Sequence, residues 1–223
     1  MKYRHEIKHE IRYADLLILR QRLGAVLQPD PHAPDGAYRI RSLYFDTPED
    51  TALREKLDGV SRREKFRLRY YNRDLSFIRL EKKSKVSGLC SKETAPMTRQ
   101  QVQRILEGDT DWMSQSPEPL IRELHDKQRR TLLMPKTLVE YTREPFVYPP
   151  GNVRVTMDYG LRTGLGSTDF LNPDCLMIPA AEAPIILEVK WDEYLPDLIR
   201  DLVGLDGCRA GAFSKYAKCR SYD

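Results

Sequence analysis

The sequence predicts an α+β fold in which an antiparallel barrel, or strongly curved sheet, is decorated by helices. Three observations lead there. Strand-like segments are numerous and separated by turn signals, while helical periodicity is confined to a few short stretches. Several strands pair one apolar face with one charged face. The clearest is Arg62-Arg63-Glu64-Lys65-Phe66-Arg67-Leu68-Arg69-Tyr70-Tyr71, in which Lys65, Arg67 and Arg69 fall on one side and Phe66, Leu68 and Tyr70 on the other. The chain has 223 residues, within the roughly 200–250 that barrels and sandwiches reach as one unit. No repeat, low-complexity tract or linker interrupts it, so a single domain over 1–223 is expected.

The elements follow in order. Glu6 to Ile11 reads as a short opening strand. Asp15 can cap a helix running through Leu27, with Leu16, Leu19, Leu23 and Val26 at helical spacing. Pro29 to Gly36 is a loop rich in Pro, Asp and Gly. In the strand Tyr38 to Asp46, Ile40, Ser42 and Tyr44 face one way and Arg39, Arg41, Leu43 and Phe45 the other. Pro48 can start a short helix through Lys56. Ser61 to Tyr71 and Ser76 to Lys85 form a hairpin around Asn72-Arg73-Asp74, and Cys90 to Thr94 starts another strand. Thr98 and Gln101 have capping-box spacing for a helix through Glu107. Pro119 to Leu133 is a further helix. Thr137 to Pro145, Asn152 to Tyr159 and Ile185 to Trp191 are strands, and Pro196 to Val203 is a helix.

Phe66, Leu68, Ile78, Leu80, Val153, Val155, Leu187 and Val189 need burial, and the helices supply partner surface. The charged faces then lie on the other side of the sheet. In an open sheet that side is an ordinary solvated face. In a barrel of about eight strands it becomes a wet lumen with room for side chains or one small ligand. A lumen carrying Arg67, Arg69, Lys83 and Arg154 calls for an anion, because uncompensated buried charge is costly. Glu81, Asp158 and Glu188 offset part of that charge, and carboxylates suit magnesium or manganese. Guanidinium forks, lysine point charges and a carboxylate-bound metal together suit phosphate chains.

Composition narrows the classes. Hydrophobic residues are 40% and charged residues 31%, enough for both a core and a large polar surface. The net charge of +4 is modest. The basic residues concentrate between Arg62 and Lys92 and from Arg209 to Arg220, which favours a polyanionic partner. Cys90, Cys175, Cys208 and Cys219 form no C-x-x-C pair, and the four histidines lack metal-ligand spacing. No Gly-rich Walker loop is present, which argues against a P-loop kinase. The charged N-terminus has no signal-peptide run, and Leu16-Leu17-Ile18-Leu19 is far short of the ~18 apolar residues of a membrane span. The expectation is a cytoplasmic protein with free thiols, reaching a membrane only through a partner protein.

Taken together, Arg41-Ser42-Leu43-Tyr44-Phe45-Asp46-Thr47, Lys65-Phe66-Arg67-Leu68-Arg69-Tyr70-Tyr71, Leu80-Glu81-Lys82-Lys83, Arg154-Val155-Thr156-Met157-Asp158, Leu187-Glu188-Val189-Lys190 and Ser214-Lys215-Tyr216 resemble a known family in their order and spacing. The chain is similar to the VTC domain, the polyphosphate polymerase catalytic domain of the vacuolar transporter chaperone complex and its stand-alone bacterial relatives, within the triphosphate tunnel metalloenzymes. The resemblance implies an antiparallel tunnel of about eight strands and transfer of the γ-phosphoryl of ATP onto a growing inorganic polyphosphate chain, with Mn2+ or Mg2+. By motif position, Arg67 and Arg69 match the phosphate-gripping R-x-R pair, and Lys83 and Lys92 match lysines of the next two strand segments. Lys8 looks like a basic tunnel residue, Arg143 and Arg154 match later arginines, Lys215 matches the closing lysine, and Glu188 matches the metal-binding glutamate. The opening Glu6-Ile7-Lys8-His9-Glu10 keeps part of the superfamily's E-x-E-x-K strand, and Ala212 stands where the polymerase pattern often has a second lysine.

Two other activities fit the same residues. Water in place of the acceptor phosphate gives a triphosphatase or nucleotide hydrolase. A non-catalytic polyphosphate or nucleic-acid binding module needs only the basic strands and tyrosines. The interleaved carboxylates favour a metal site over a nucleic-acid groove, so no nucleic-acid partner is expected.

Overall fold

The computed structural model describes residues 4–33, 35–86, 89–204 and 210–222. Cys208 and Arg209 lie outside them. The strands are β1 (His5–Ile11), β2 (Gln28–Pro29), β3 (Tyr38–Asp46), β4 (Arg62–Tyr71), β5 (Asp74–Val86), β6 (Leu89–Met97), β7 (Met134–Tyr148), β8 (Val153–Thr163), β9 (Ile178–Pro179) and β10 (Ile185–Trp191). The helices are α1 (Tyr13–Val26), α2 (Thr51–Leu57), α3 (Arg99–Leu106), α4 (Pro119–Thr131), α5 (Asp197–Val203) and α6 (Lys215–Arg220). Eight strands run in the order β1-β10-β8-β7-β3-β4-β5-β6, with β2 against β7 and β9 against β8. This is the expected α+β class with an antiparallel sheet.

The chain divides into two compact units. The first comprises residues 1–39, 141–161 and 181–213, and the second residues 40–140, 162–180 and 214–223. In the first unit, β1 pairs with β10 and β10 with β8. The apolar faces of β8 and β10 (Val153, Val155, Met157, Leu187, Val189) are covered by Leu16, Leu19 and Leu23 of α1 and Ile199 of α5. The spacing of those three leucines is what makes α1 a helix with one buried stripe. Asp15 does not precede the helix as its cap. It sits one turn in and accepts the Arg12 N–H at 2.9 Å, satisfying the donor just outside the first turn.

In the second unit, β3 through β6 put Leu43, Phe45, Phe66, Leu68, Tyr70, Ile78, Leu80, Ala95 and Met97 into one cluster with Val102 and Ile105 of α3 and Leu120, Ile121 and Leu124 of α4. The capping box of α3 is present in both directions: Gln101 N–H donates to Thr98 Oγ1 at 3.1 Å and Thr98 N–H to Gln101 Oε1 at 2.9 Å. The β4–β5 turn is tighter than expected. Asn72 and Arg73 both have positive φ (48° and 65°), as a two-residue hairpin loop with the sheet's own twist requires, and Asp74 already belongs to β5.

The helix expected from Pro48 starts instead at Thr51, and Asp46 is the reason. Its buried carboxylate accepts the N–H groups of Thr47 (2.8 Å), Ala52 (2.8 Å) and Leu53 (3.1 Å), so it caps α2 from the end of β3. The same carboxylate accepts the Tyr216 hydroxyl at 2.6 Å, which fastens α6. That C-terminal helix is absent from the sequence reading, although Ser214 caps it by accepting the Ala217 N–H at 3.3 Å. Because Asp46→Ala strands several buried donors at once, it is expected to cost about 3 kcal/mol. Thermal unfolding followed by circular dichroism should show the midpoint falling by roughly 6–12 °C, and a drop below about 2 °C would refute this role for Asp46.

Candidate functional site: two charged strand faces

In the second unit the apolar cluster occupies one face of β4, β5 and β6, and alternation sends the intervening side chains to the other face. Register then sets them in rows. Arg63 lies opposite Lys85. Lys65 lies opposite Lys83, which lies opposite Lys92. Arg67 lies opposite Glu81, and Arg69 opposite Arg79. On this face of the three strands, eight basic residues accompany one carboxylate. Like charges directly opposite one another destabilise a sheet in themselves, so this arrangement is a strong departure from ordinary strand pairing.

Glu81 is the electrostatic centre of that face. It is 1% exposed. Arg67 donates to Oε2 through Nε at 2.8 Å and Nη2 at 2.6 Å, Arg69 Nη1 lies at 3.4 Å, and Lys92 Nζ reaches Oε1 at 3.2 Å. Burial pushes this carboxyl up, but Arg67, Arg69 and Lys92 outweigh it and hold the group ionised far below the ordinary carboxylate range. Its lone pairs are thus committed to cations of the chain, which makes Glu81 a clamp for the arginines rather than a metal ligand. β3 completes the face. Ser42 Oγ accepts from Arg69 Nε at 3.1 Å and Tyr44 Oη from Arg67 Nη1 at 2.7 Å. The Tyr44 ring stacks on Tyr216, with centroids 4.9 Å apart. Lys215, the residue before Tyr216, opens α6.

In the first unit the charged face is balanced. Across β1, β10 and β8 the register sets Glu6 against Lys190 and Arg154, and Lys8 against Glu188 and Thr156. Lys8 bridges Glu6 (2.8 Å) and Glu188 (3.2 Å), and Lys190 bridges the same two carboxylates at 3.6 and 2.9 Å. Burial disfavours the Lys8 ammonium, yet Glu188 and Glu6 hold its pKa above the usual lysine range. Arg143 is half-buried and is kept charged chiefly by Asp158, which it grips at 2.6 and 2.7 Å; its Nη2 lies 3.6 Å from Glu188. Asp158 is therefore an arginine partner. Arg154 belongs to this face too, but its head group is held by Asp30 at 2.6 Å and Tyr38 at 2.8 Å.

The residues named from the sequence thus fall into two sets: Arg67, Arg69, Lys83 and Lys92 share one face of the second unit, and Lys8, Arg143, Arg154 and Glu188 share one face of the first. Sequence reasoning passed over Arg63, Arg79 and Lys85 in the second unit and Glu6 and Lys190 in the first as site residues, and placed Lys65 on the charged face without assigning it a role. Alternation could have supplied them all, since each lies two or four residues from a named one, but their cross-strand partners depend on register.

Among the described residues no group of three or more His, Cys, Asp or Glu side chains is placed to hold a metal ion. What the first unit offers is oxygen: Glu6, Glu188, and the hydroxyl of Thr156, which lies opposite Glu188, buried and without a hydrogen-bond partner among the described residues. One or two carboxylates with phosphate oxygens and water completing the shell is the ordinary way magnesium is held. The donor set therefore fits a divalent cation that arrives with a phosphate ligand. Among the described residues no helix is long and apolar enough to cross a membrane.

Two solved structures share this fold. HpAC1 from Hippeastrum, assigned as an adenylyl cyclase and described as having a dominant triphosphatase activity, is 14% identical; the match covers 99% of this chain and 96% of that one with a TM-score of 0.55. A protein of Bacillus halodurans assigned as an adenylate cyclase is 13% identical, with 85% and 80% covered and a TM-score of 0.50. No curated protein matches the chain in sequence at a significant level. The family model of the VTC domain matches residues 3–222. With nearly its whole length matched, and with the R-x-R strand, the Glu-Val-Lys strand and the Ser-Lys-Tyr helix start all in place, the chain belongs to the VTC domain family.

Proposed function

We propose that this protein is a metal-dependent polyphosphate polymerase that transfers the γ-phosphoryl group of ATP to the end of an inorganic polyphosphate chain. One observation carries the reading: the face of β4–β6 sets eight basic residues against the single carboxylate Glu81, including the row Lys65, Lys83 and Lys92. A protein keeps such a face for an anion of high charge density, and a chain of phosphates supplies it.

In this reading Arg67 and Arg69 grip the transferring group. They are pre-oriented by Glu81, Tyr44 and Ser42, so their forks need no reorganisation as charge builds on the phosphoryl oxygens. Lys83 and Lys92 neutralise neighbouring phosphates as point charges, and Lys215 serves at the start of α6. The acceptor's terminal phosphate oxygen attacks the γ-phosphorus, the bond to the β-phosphate oxygen breaks, and ADP leaves. The attacking oxygen is already ionised, so the reaction asks little of a general base. Lys8, Arg143 and Arg154 bind phosphate oxygens in the first unit, where Lys8 and Lys190 pair with Glu188 and Glu6. Glu188 would hold a manganese or magnesium ion, and the chemistry supplied there would be neutralisation of phosphate charge.

A triphosphatase activity is the second reading, favoured by the fold shared with HpAC1 over 99% of this chain. The two differ only in whether a phosphate or water stands at the acceptor position.

With Mn2+, ATP and a short polyphosphate primer, the protein should lengthen the primer, read as a ladder on a gel. Arg67→Ala should lower the rate about 10²–10³-fold, the loss typical when one charge-stabilising donor is removed. Free phosphate released in step with ATP use, without chain growth, would replace the polymerase by the hydrolase. Ligand binding should also be visible in stability: tripolyphosphate at 100 times its dissociation constant should add about 2.7 kcal/mol, read as a rise in thermal midpoint that shrinks as salt is raised. No rise at low salt would remove the premise of both enzymes. Finally, Mn2+ titrated alone should bind weakly, because Lys8 and Lys190 already occupy the carboxylates, and binding should tighten when tripolyphosphate is present. Tight binding of Mn2+ by the ligand-free protein would contradict that account.

A further inference from the structure

Tyr44 has a feature that gripping phosphate does not by itself require. It is only 3% exposed, and its hydroxyl oxygen accepts from Arg67 Nη1 at 2.7 Å. Its own O–H hydrogen has no acceptor among the described residues. Tyr216, stacked against it, is engaged elsewhere, since its hydroxyl donates to Asp46 at 2.6 Å and accepts from Arg220 at 3.0 Å. A buried phenol whose proton has no partner is destabilised as a phenol. As a phenolate it would be well placed: the Arg67 guanidinium carbon and the Lys65 ammonium lie 5.6 and 5.8 Å from the ring centroid. A phosphate oxygen arriving on the same face would reverse the preference, offering the acceptor that the O–H lacks and competing for the cations.

We propose that Tyr44 is a proton-linked positioning residue for Arg67, accepting from its guanidinium as a phenolate in the ligand-free protein and taking up one proton when a phosphate chain binds to Arg67 and Arg69. This rests on the reading of the face as a phosphate site and deepens it, since it makes ligand binding pH-dependent.

The surroundings agree on the sign. From β4, Lys65, Arg67 and Arg69 face the ring or its hydroxyl; from β5, Glu81 lies beyond Arg67. From α6 come Tyr216, backed by Arg220, and Lys215 at the helix start; Asp46 ends Tyr44's own strand. Burial pushes the phenol up, but Arg67, Lys65 and Arg69 outweigh it and bring it down to about 7. Tyr216 moves the other way, because burial and its bond to Asp46 keep it protonated far above neutrality. At pH 8 the ligand-free protein therefore holds Tyr44 ionised. An added polyanion raises its pKa, so binding takes up a proton. Below pH 6 the phenol is already protonated and the uptake vanishes.

The test is calorimetric. Metal-free tripolyphosphate is titrated into the full chain at pH 8 in two buffers of different ionisation enthalpy. The terminal phosphate of tripolyphosphate also ionises near this pH and gives up its proton on meeting cations, so the tyrosine's uptake is read as the difference between the unaltered protein and Tyr44→Phe. We expect that difference to approach one proton per tripolyphosphate bound, and the association constant of the unaltered protein to fall relative to that of Tyr44→Phe by up to tenfold per pH unit above 8. Tyr216→Phe should behave as the unaltered protein. Should Tyr44→Phe fail to fold, the near-ultraviolet titration of the unaltered protein decides: one tyrosine should ionise near neutrality and cease to do so when tripolyphosphate is bound. The same proton change in Tyr44→Phe as in the unaltered protein, or no tyrosine ionising near neutrality, would overturn the inference while leaving the phosphate site standing. Absence of any binding would overturn both.

Discussion

Everything in the second unit depends on holding a strongly cationic sheet face in place. Coulomb repulsion among Lys65, Lys83 and Lys92, and between Arg69 and Arg79, works against the very register that sets them opposite one another. What resists it lies on the reverse of the same strands. Phe66, Leu68, Ile78, Leu80 and Ala95 are buried to 2% exposure or less against α3 and α4. A slip by one residue would carry that apolar set to the charged side and the lysines into the core. Hydrophobic burial thus fixes the register, and the register fixes the charge pattern. Glu81 then tempers the repulsion from the middle of the face.

The first unit solves a different problem with the same strand alternation. Its rows mix signs, with Glu6 against Lys190 and Lys8 against Glu188. Repulsion is small there, and each carboxylate is shared by two lysines. In this arrangement each of these four charges has an opposite charge within 3.6 Å. Among the described residues the charged face of β4–β6 carries one carboxylate, Glu81, so its balance of charge is strongly positive.

Much of this was legible from the residues alone, for a physical reason. Alternation with period two is written directly into Lys65 to Tyr70, and it placed Phe66, Leu68 and Tyr70 on the face packed against the helices and their charged neighbours on the other face without any knowledge of the partner strands. The capping box at Thr98 and Gln101 was legible because both partners lie within one turn. What depends on distant segments was not. Asp46 fixes the start of α2 and the seat of α6 across 170 positions, and no local pattern announces that. The capture of Arg154 by Asp30 spans 124 positions, and Glu81 as the hub of Arg67, Arg69 and Lys92 depends on a register that sequence spacing leaves open.

β3 shows how closely structure and site are joined. Three alternate residues of one strand, Ser42, Tyr44 and Asp46, each take a polar partner from a different place: Arg69, Arg67 and Tyr216. Tyr216 also stacks on Tyr44, so the hydroxyl that Asp46 fixes sets the ring against which Tyr44 rests. The orientation of Arg67 is therefore coupled through two aromatic rings to the carboxylate that starts α2 and anchors α6. A change at Asp46 must reach the Arg67 guanidinium through contacts alone, without altering any charge on the β4–β6 face. Stability and site geometry share one carboxylate here, and the Arg-Ser-Leu-Tyr-Phe-Asp segment reads as a unit because each alternate member holds a different part of the same assembly.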